Sequence, residues 1–217
     1  MASGSRAHGA KHGDAKTIRR QRRGKNYVSK MAMYAVVGIA FVGIAGLLVL
    51  ASRSADHHAS GAAPMTGAAP DFTLPSLNGD EVTLSSFKGQ RNVLLYFNEG
   101  YGCAPCWQQA QDLQKRGADL DAANTEFIDI MVDPPSLLKS EVARWGLTMP
   151  VLSDTAKTVS QQYNMLGFGM HSDKPNHTFV FIDKAGEIRW WEDYPSMRAP
   201  TDDVIKTVQA LSASASG

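Results

Sequence analysis

Asn92-Val93-Leu94-Leu95-Tyr96-Phe97-Asn98-Glu99-Gly100-Tyr101-Gly102-Cys103-Ala104-Pro105-Cys106-Trp107 is the stretch on which the reading of this chain turns. Its first part is a continuous apolar run, which predicts a strand buried on both faces rather than one that alternates between core and water. Two glycines then break the pattern, and a helix is expected from Trp107 to Ala118. Cys103 and Cys106, the only cysteines in the chain, fall between strand and helix. A thiol at a helix start meets unpaired amides and the positive end of the helix dipole, which favour the thiolate. Pro105 suits a first helical turn because its missing N–H costs nothing there. A zinc site needs four ligands, and no second cysteine pair exists to complete one. The pair therefore reads as a redox dithiol, with Cys103 expected to attack and Cys106 to resolve.

Outward from this stretch, strand-like and helical segments alternate. Phe72–Leu74 and Glu81–Leu84 flank an Asn78-Gly79-Asp80 turn and predict a hairpin. Phe127–Val132 is a second buried strand, stopped by Asp133-Pro134-Pro135. Ser136–Trp145 is helical and closed by Gly146. Val151-Leu152 is a short strand, and a helix over Thr155–Tyr163 is expected with Asp154 as its N-cap. Thr178–Asp183 and Glu187–Trp191, joined by Lys184-Ala185-Gly186, form an antiparallel hairpin, and a last helix runs over Thr201–Leu211. Such an order predicts an α/β fold, a central mixed sheet flanked by helices. Of the tryptophans, Trp145 reads as core, Trp190-Trp191 as one core and one surface ring, and Trp107 as packing beside the dithiol.

Charge and hydropathy divide the chain further. Nine of the 22 Lys and Arg residues lie in the first 30 positions, against one acid, Asp14. Residues 31–51 carry no charge and, at about 1.5 Å per residue, reach roughly 31 Å, enough to cross a bilayer. The basic flank sets the N-terminus in the cytoplasm. A cleaved signal peptide is the competing reading, but its apolar region is normally only about 7–15 residues. Beyond the span the balance turns acidic, which argues against nucleic acid as a partner. The expected organisation is a basic cytoplasmic tail (1–30), a single transmembrane helix (31–51), a flexible Ala/Ser/Gly/Pro linker (52–68), a redox domain (69–213) and a disordered tail (214–217). The domain is thus expected at the cell membrane, facing away from the cytoplasm, with protein thiols and disulfides there as partners.

Five segments carry a resemblance: Ala69-Pro70-Asp71-Phe72-Thr73-Leu74, Val82-Thr83-Leu84-Ser85-Ser86-Phe87-Lys88-Gly89, Val93–Phe97, Pro150-Val151-Leu152-Ser153-Asp154 and Thr178–Asp183. In this order they resemble the alkyl hydroperoxide reductase C/thiol-specific antioxidant (redoxin) branch of the thioredoxin-like superfamily. They are also similar to membrane-tethered thiol–disulfide oxidoreductases of the TlpA/ResA type. The resemblance implies a thioredoxin-like fold with an N-terminal β-hairpin, and a redox dithiol that needs no cofactor. The leading expectation is exchange of the Cys-x-x-Cys disulfide with protein partners. A peroxiredoxin-type thiol peroxidase is the first alternative. Peroxiredoxins carry Pro-x-x-x-Thr-x-x-Cys, and an overlay on Tyr96-Phe97 sets Cys106 at their peroxidatic cysteine, Cys103 at the threonine and Glu99 at the proline.

The resemblance also implies a loop opposite the cysteines, over Pro175, Asn176 and His177, where relatives have a cis-proline or an arginine. His177 there is expected to support the thiolate. Glu99 is expected to accept or relay a proton. Gly102, Ala104, Pro105 and Trp107 complete the active-site loop. The second alternative is a Sco-like copper chaperone for respiratory oxidase assembly, whose ligands would be Cys103, Cys106, His171 and His177, with Met165 and Met170 nearby.

Overall fold

The computed structural model describes residues 64–214. They fall in the second of two compact units, Ala59–Gly217. The expected tail and span, most of the linker and residues 215–217 lie outside the described residues. Among the described residues, no helix is long and apolar enough to cross a membrane.

The described residues form eight strands and five α-helices in the order β1 (Gly67–Ala68), β2 (Thr73–Pro75), β3 (Glu81–Thr83), β4 (Asn92–Phe97), α1 (Ala104–Lys115), α2 (Gly117–Ala122), β5 (Thr125–Met131), α3 (Pro135–Trp145), β6 (Val151–Ser153), α4 (Thr158–Gln162), β7 (Thr178–Ile182), β8 (Glu187–Asp193) and α5 (Thr201–Ser214). A 3-10 turn, Leu84–Phe87, leads toward β4. Six strands form one mixed sheet in the order β1-β8-β7-β4-β5-β6. β4 runs parallel to β5 and antiparallel to β7. The β2–β3 hairpin stands apart and closes over the β6 edge, with Leu77 N–H donating to the Val151 carbonyl at 2.9 Å. This is the thioredoxin-like α/β fold that was expected.

The position of β4 explains its composition. Val93, Leu95 and Phe97 enter one core with Ile128, Ile130, Val180 and Tyr163, while Leu94 and Tyr96 enter the other with Phe179, Phe181, Val204 and Val208. Both faces of the strand are covered, so no position tolerates a polar alternation. Helix α1 buries Cys106, Trp107, Ala110 and Leu113, spaced three and four apart. It is N-capped by the Cys103 sulfur, which accepts from the Cys106 amide at 3.2 Å. Because of this cap it begins at Ala104, three residues earlier than expected, and places the dithiol within its first turn.

Other differences are local. Gly67–Ala68, expected as linker, pair with β8. Helix α4 starts at Thr158, not Thr155, because Lys157 adopts the left-handed conformation. Lys157 and not Asp154 is therefore the N-cap, although the Asp154 carboxylate still accepts from the Ser160 amide at 2.7 Å. Gly146 ends α3 in the left-handed region, as expected, at φ 64°. Trp145 is half-buried rather than core. Trp190 and Trp191 are both half-buried and pack on the two opposite cores of the sheet.

Candidate active site

The site forms where the C-terminal end of β4 meets the N-terminus of α1. Asn98 opens the connecting loop: its Nδ2 donates to the Asp129 carboxyl at 2.5 Å, and its Oδ1 accepts from the Gly100 amide at 2.9 Å. Gly100 has φ 73°, and a Cβ there would lie 2.2 Å from Asp133 Oδ2. Only glycine fits the turn and the close approach together. Asp133, from the end of β5, accepts from the Tyr101 amide at 2.9 Å. Lys174 completes the fastening: its Nζ donates to the Glu99 carbonyl at 2.9 Å and to Asp133 Oδ1 at 3.0 Å. Trp107 turns its Nε1–H onto the Gly100 carbonyl at 3.1 Å. Three separate segments are thereby bound into one rim.

Cys103 and Cys106 are joined by a disulfide with Cα atoms 5.3 Å apart, and both are buried. His177, 1 % exposed, directs Nε2 at the Cys103 sulfur across 3.8 Å. Burial holds its imidazole below the ordinary histidine range, opposed by the negative charges of Glu99 and Asp193. Asp193 accepts both from Asn176 Nδ2, at 2.8 Å, and from the Thr178 hydroxyl, at 2.9 Å, and so fixes the strand end that carries His177. The Tyr194 amide donates to the His177 carbonyl at 3.0 Å. Glu99 is also buried, and its Oε1 has no hydrogen-bond partner. Beneath the loop lies a fully buried acid. Burial pushes Asp129 well above the usual carboxylate range, and burial, with a lesser contribution from Asp129, raises the neighbouring Tyr96 phenol.

Of the expected site residues, Cys103, Cys106, His177 and Glu99 are brought together, and Pro175 and Asn176 are buried in the facing loop. Gly102 and Ala104 are exposed on the rim, Pro105 is half-buried, and Trp107 is sealed in the core. Cys103, Cys106 and His177 place one ligand-type atom each within 4.8 Å of one another, but His171 does not join them and is exposed. Met165 is a core residue and Met170 is 68 % exposed. Sequence reasoning missed Lys174, Asp133, Asn98 and Asp129. Asp133 was visible only as the stop after a strand, and Lys174 carried no local signal because its partners lie about 40 and 75 residues away in the chain. A hollow of about 270 Å³ is lined by Leu84, Lys88, Arg91, Val93 and Asp183 at the opposite end of β4, away from this chemistry.

The AhpC/TSA family pattern matches residues 65–191. A putative peroxiredoxin of Mycobacterium tuberculosis is 33 % identical over 125 residues, which cover 55 % of this chain and 78 % of that one. Peroxiredoxin Bcp of Escherichia coli is 32 % identical over 124 residues, covering 55 % and 79 %. Among solved structures, peroxidoxin BcpB of M. tuberculosis superposes with a TM-score of 0.61 at 23 % identity, over 69 % of this chain and 99 % of that one. AhpC of Enterococcus faecalis gives 0.64 at 15 % identity, over 71 % and 96 %. These superpositions bear on the fold alone. The curated relatives bear on chemistry, and they correct the leading expectation. They are peroxiredoxins and alkyl hydroperoxide reductases, so exchange with protein disulfides gives way to the first alternative. The expectation of cysteine redox chemistry with no cofactor agrees with these relatives. On the match across 65–191 and on these relatives, the chain belongs to the AhpC/TSA family, within the redoxin branch of the thioredoxin-like superfamily.

Proposed function

We propose that this protein is a thiol peroxidase in which Cys106 attacks the peroxide and Cys103 resolves the product. One observation carries the reading: Cys106 lies in the first turn of α1, at the end of the central strand, with its sulfur already bonded to Cys103. The helix N-terminus favours the Cys106 thiolate. That thiolate attacks the terminal oxygen of ROOH, the O–O bond breaks, and ROH leaves after taking up a proton. Cys103 then attacks the Cys106 sulfenic acid, forming the disulfide and releasing water. A dithiol reductant, small or protein, reopens the disulfide by exchange. This assignment reverses the order of attack expected from the Cys-x-x-Cys spacing and follows the peroxiredoxin overlay. As part of the same proposal, residues 31–51 anchor the enzyme in a membrane with its site outside the cytoplasm.

The test is a single turnover. Reduced Cys103→Ser should consume about one equivalent of hydrogen peroxide and form a Cys106 sulfenic acid that dimedone captures. Cys106→Ser should consume none at a comparable rate. The reverse pattern would exchange the two roles, and no consumption by the wild-type protein would end the peroxidase reading.

A further inference from the structure

The imidazole faces the sulfur of the resolving cysteine and not that of the attacking one. His177 Nε2 lies 3.8 Å from Cys103 Sγ, the cysteine that resolves in the cycle above. At that distance a reduced Cys103 S–H donates to the imidazole, and a neutral ring accepts through Nε2 while its proton sits on Nδ1. Nδ1 is buried and makes no hydrogen bond of ordinary geometry. The surroundings also answer for the charged form. Glu99 and Asp193 both act on the ring with negative charge. Asp193 is occupied with Asn176 and Thr178, whereas Glu99 keeps Oε1 buried and unpartnered beside the cysteine loop.

We propose that His177 is the base that closes the disulfide, with Glu99 as the fixed countercharge for the imidazolium formed. The inference rests on the peroxidase reading and assigns the second chemical step within it. Nε2 takes the Cys103 thiol proton, and the Cys103 sulfur attacks the Cys106 sulfur. The S–S bond forms as the S–O bond of the sulfenic acid breaks. The departing hydroxide takes the proton back from Nε2 and leaves as water. The Cys106 sulfur is reduced by the electron pair that Cys103 supplies, and the histidine ends as it began. Burial of the site keeps bulk water from acting as the base, which is why a dedicated group is needed.

The experiment follows both steps in the full-length protein, pre-reduced and mixed with one equivalent of hydrogen peroxide. Sulfenic acid is counted by dimedone capture and disulfide by the loss of free thiols. His177→Gln should still form the Cys106 sulfenic acid, but closure should slow by about 100-fold, the lower end of what a positioned general base contributes. Free imidazole should restore closure in His177→Ala. Glu99→Gln leaves the buried histidine in place and should slow closure by about tenfold, through loss of the countercharge. Closure at the wild-type rate in both His177→Gln and Glu99→Gln overturns the inference. So does a result in which sulfenic acid formation slows while closure does not, since that would attach His177 to the first step. If Cys103→Ser forms no Cys106 sulfenic acid, the peroxidase reading itself has failed, and this inference with it.

Discussion

Replacing Asp129 by asparagine should change how stability depends on pH while leaving the fold intact. The carboxyl is fully buried opposite Tyr96 in the β4–β5 register, and only Oδ1 has a partner, Asn98 Nδ2 at 2.5 Å. Its Oδ2 and the Tyr96 hydroxyl are both buried without partners. Burial raises the folded-state pKa well above the ordinary 3.8, so the folded protein holds a proton that the unfolded chain has lost. The contribution to stability is therefore fully present below the unfolded pKa and declines as pH rises through the window up to the folded value. Within that window the slope approaches about 1.4 kcal/mol per pH unit. Asparagine does not titrate, yet its Oδ1 can still accept from Asn98. Urea unfolding of wild type and Asp129→Asn at half-unit steps from pH 4 to 7 isolates the effect, since other titrating groups cancel in the difference. Wild type should lose ground to the variant steadily as pH rises. Parallel stability curves between pH 4.5 and 6.5 would mean that Asp129 is ionised when folded, and the burial argument would be wrong.

The loop fastening makes further predictions. Gly100→Ala should cost at least about 1–2 kcal/mol from its positive φ alone, read by urea unfolding. It should also depress single-turnover peroxide consumption, because the new Cβ displaces Asp133. Lys174→Met removes the donor that joins Glu99, Tyr101 and Asp133, and should cost about 1–3 kcal/mol in the same measurement, with Lys174→Arg recovering part of the loss. An unchanged Lys174→Met midpoint would show that the clamp contributes nothing to stability. For the membrane placement, an alkaline phosphatase fusion after residue 60 should be active and a cytoplasmic reporter at the same site silent. The opposite pattern would overturn the expected orientation.

What could be read in advance follows from where the signals lie. The buried run of β4 is local, and so are the glycine stop of α3 and the Thr178–Asp193 hairpin, so each was legible residue by residue. The cysteines were legible for the same reason, as were Glu99 and His177 once the β7 segment was matched. The run read as helical from Trp107 begins at Ala104, so its first turn is the one that Cys103 and Pro105 already marked, capped by a cysteine sulfur in place of the usual serine, threonine or aspartate. Lys174, Asp133 and Asp129 were invisible because each meets the loop only after the sheet has formed. The activity misread has a similar origin. A Cys-x-x-Cys spacing shows that two sulfurs can join, but it does not say which oxidant reaches them first. The kinship that answers this is spread thinly across 65–191, not concentrated at the dithiol.

The short reach between the two sulfurs sets how the enzyme would fare when its substrate is abundant. A sulfenic acid exposed to a second peroxide proceeds to the sulfinic acid, which most cells cannot reverse. With its resolving partner one helical turn away and already buried beside it, Cys106 needs no unwinding of α1 before capture. Intramolecular partners held in this way act at effective concentrations of about 10⁵ M or more when well aligned, far above any peroxide level. In the proposed cycle this short reach would protect Cys106 from hyperoxidation and would suit the protein to bursts of oxidant rather than to sensing them by its own inactivation.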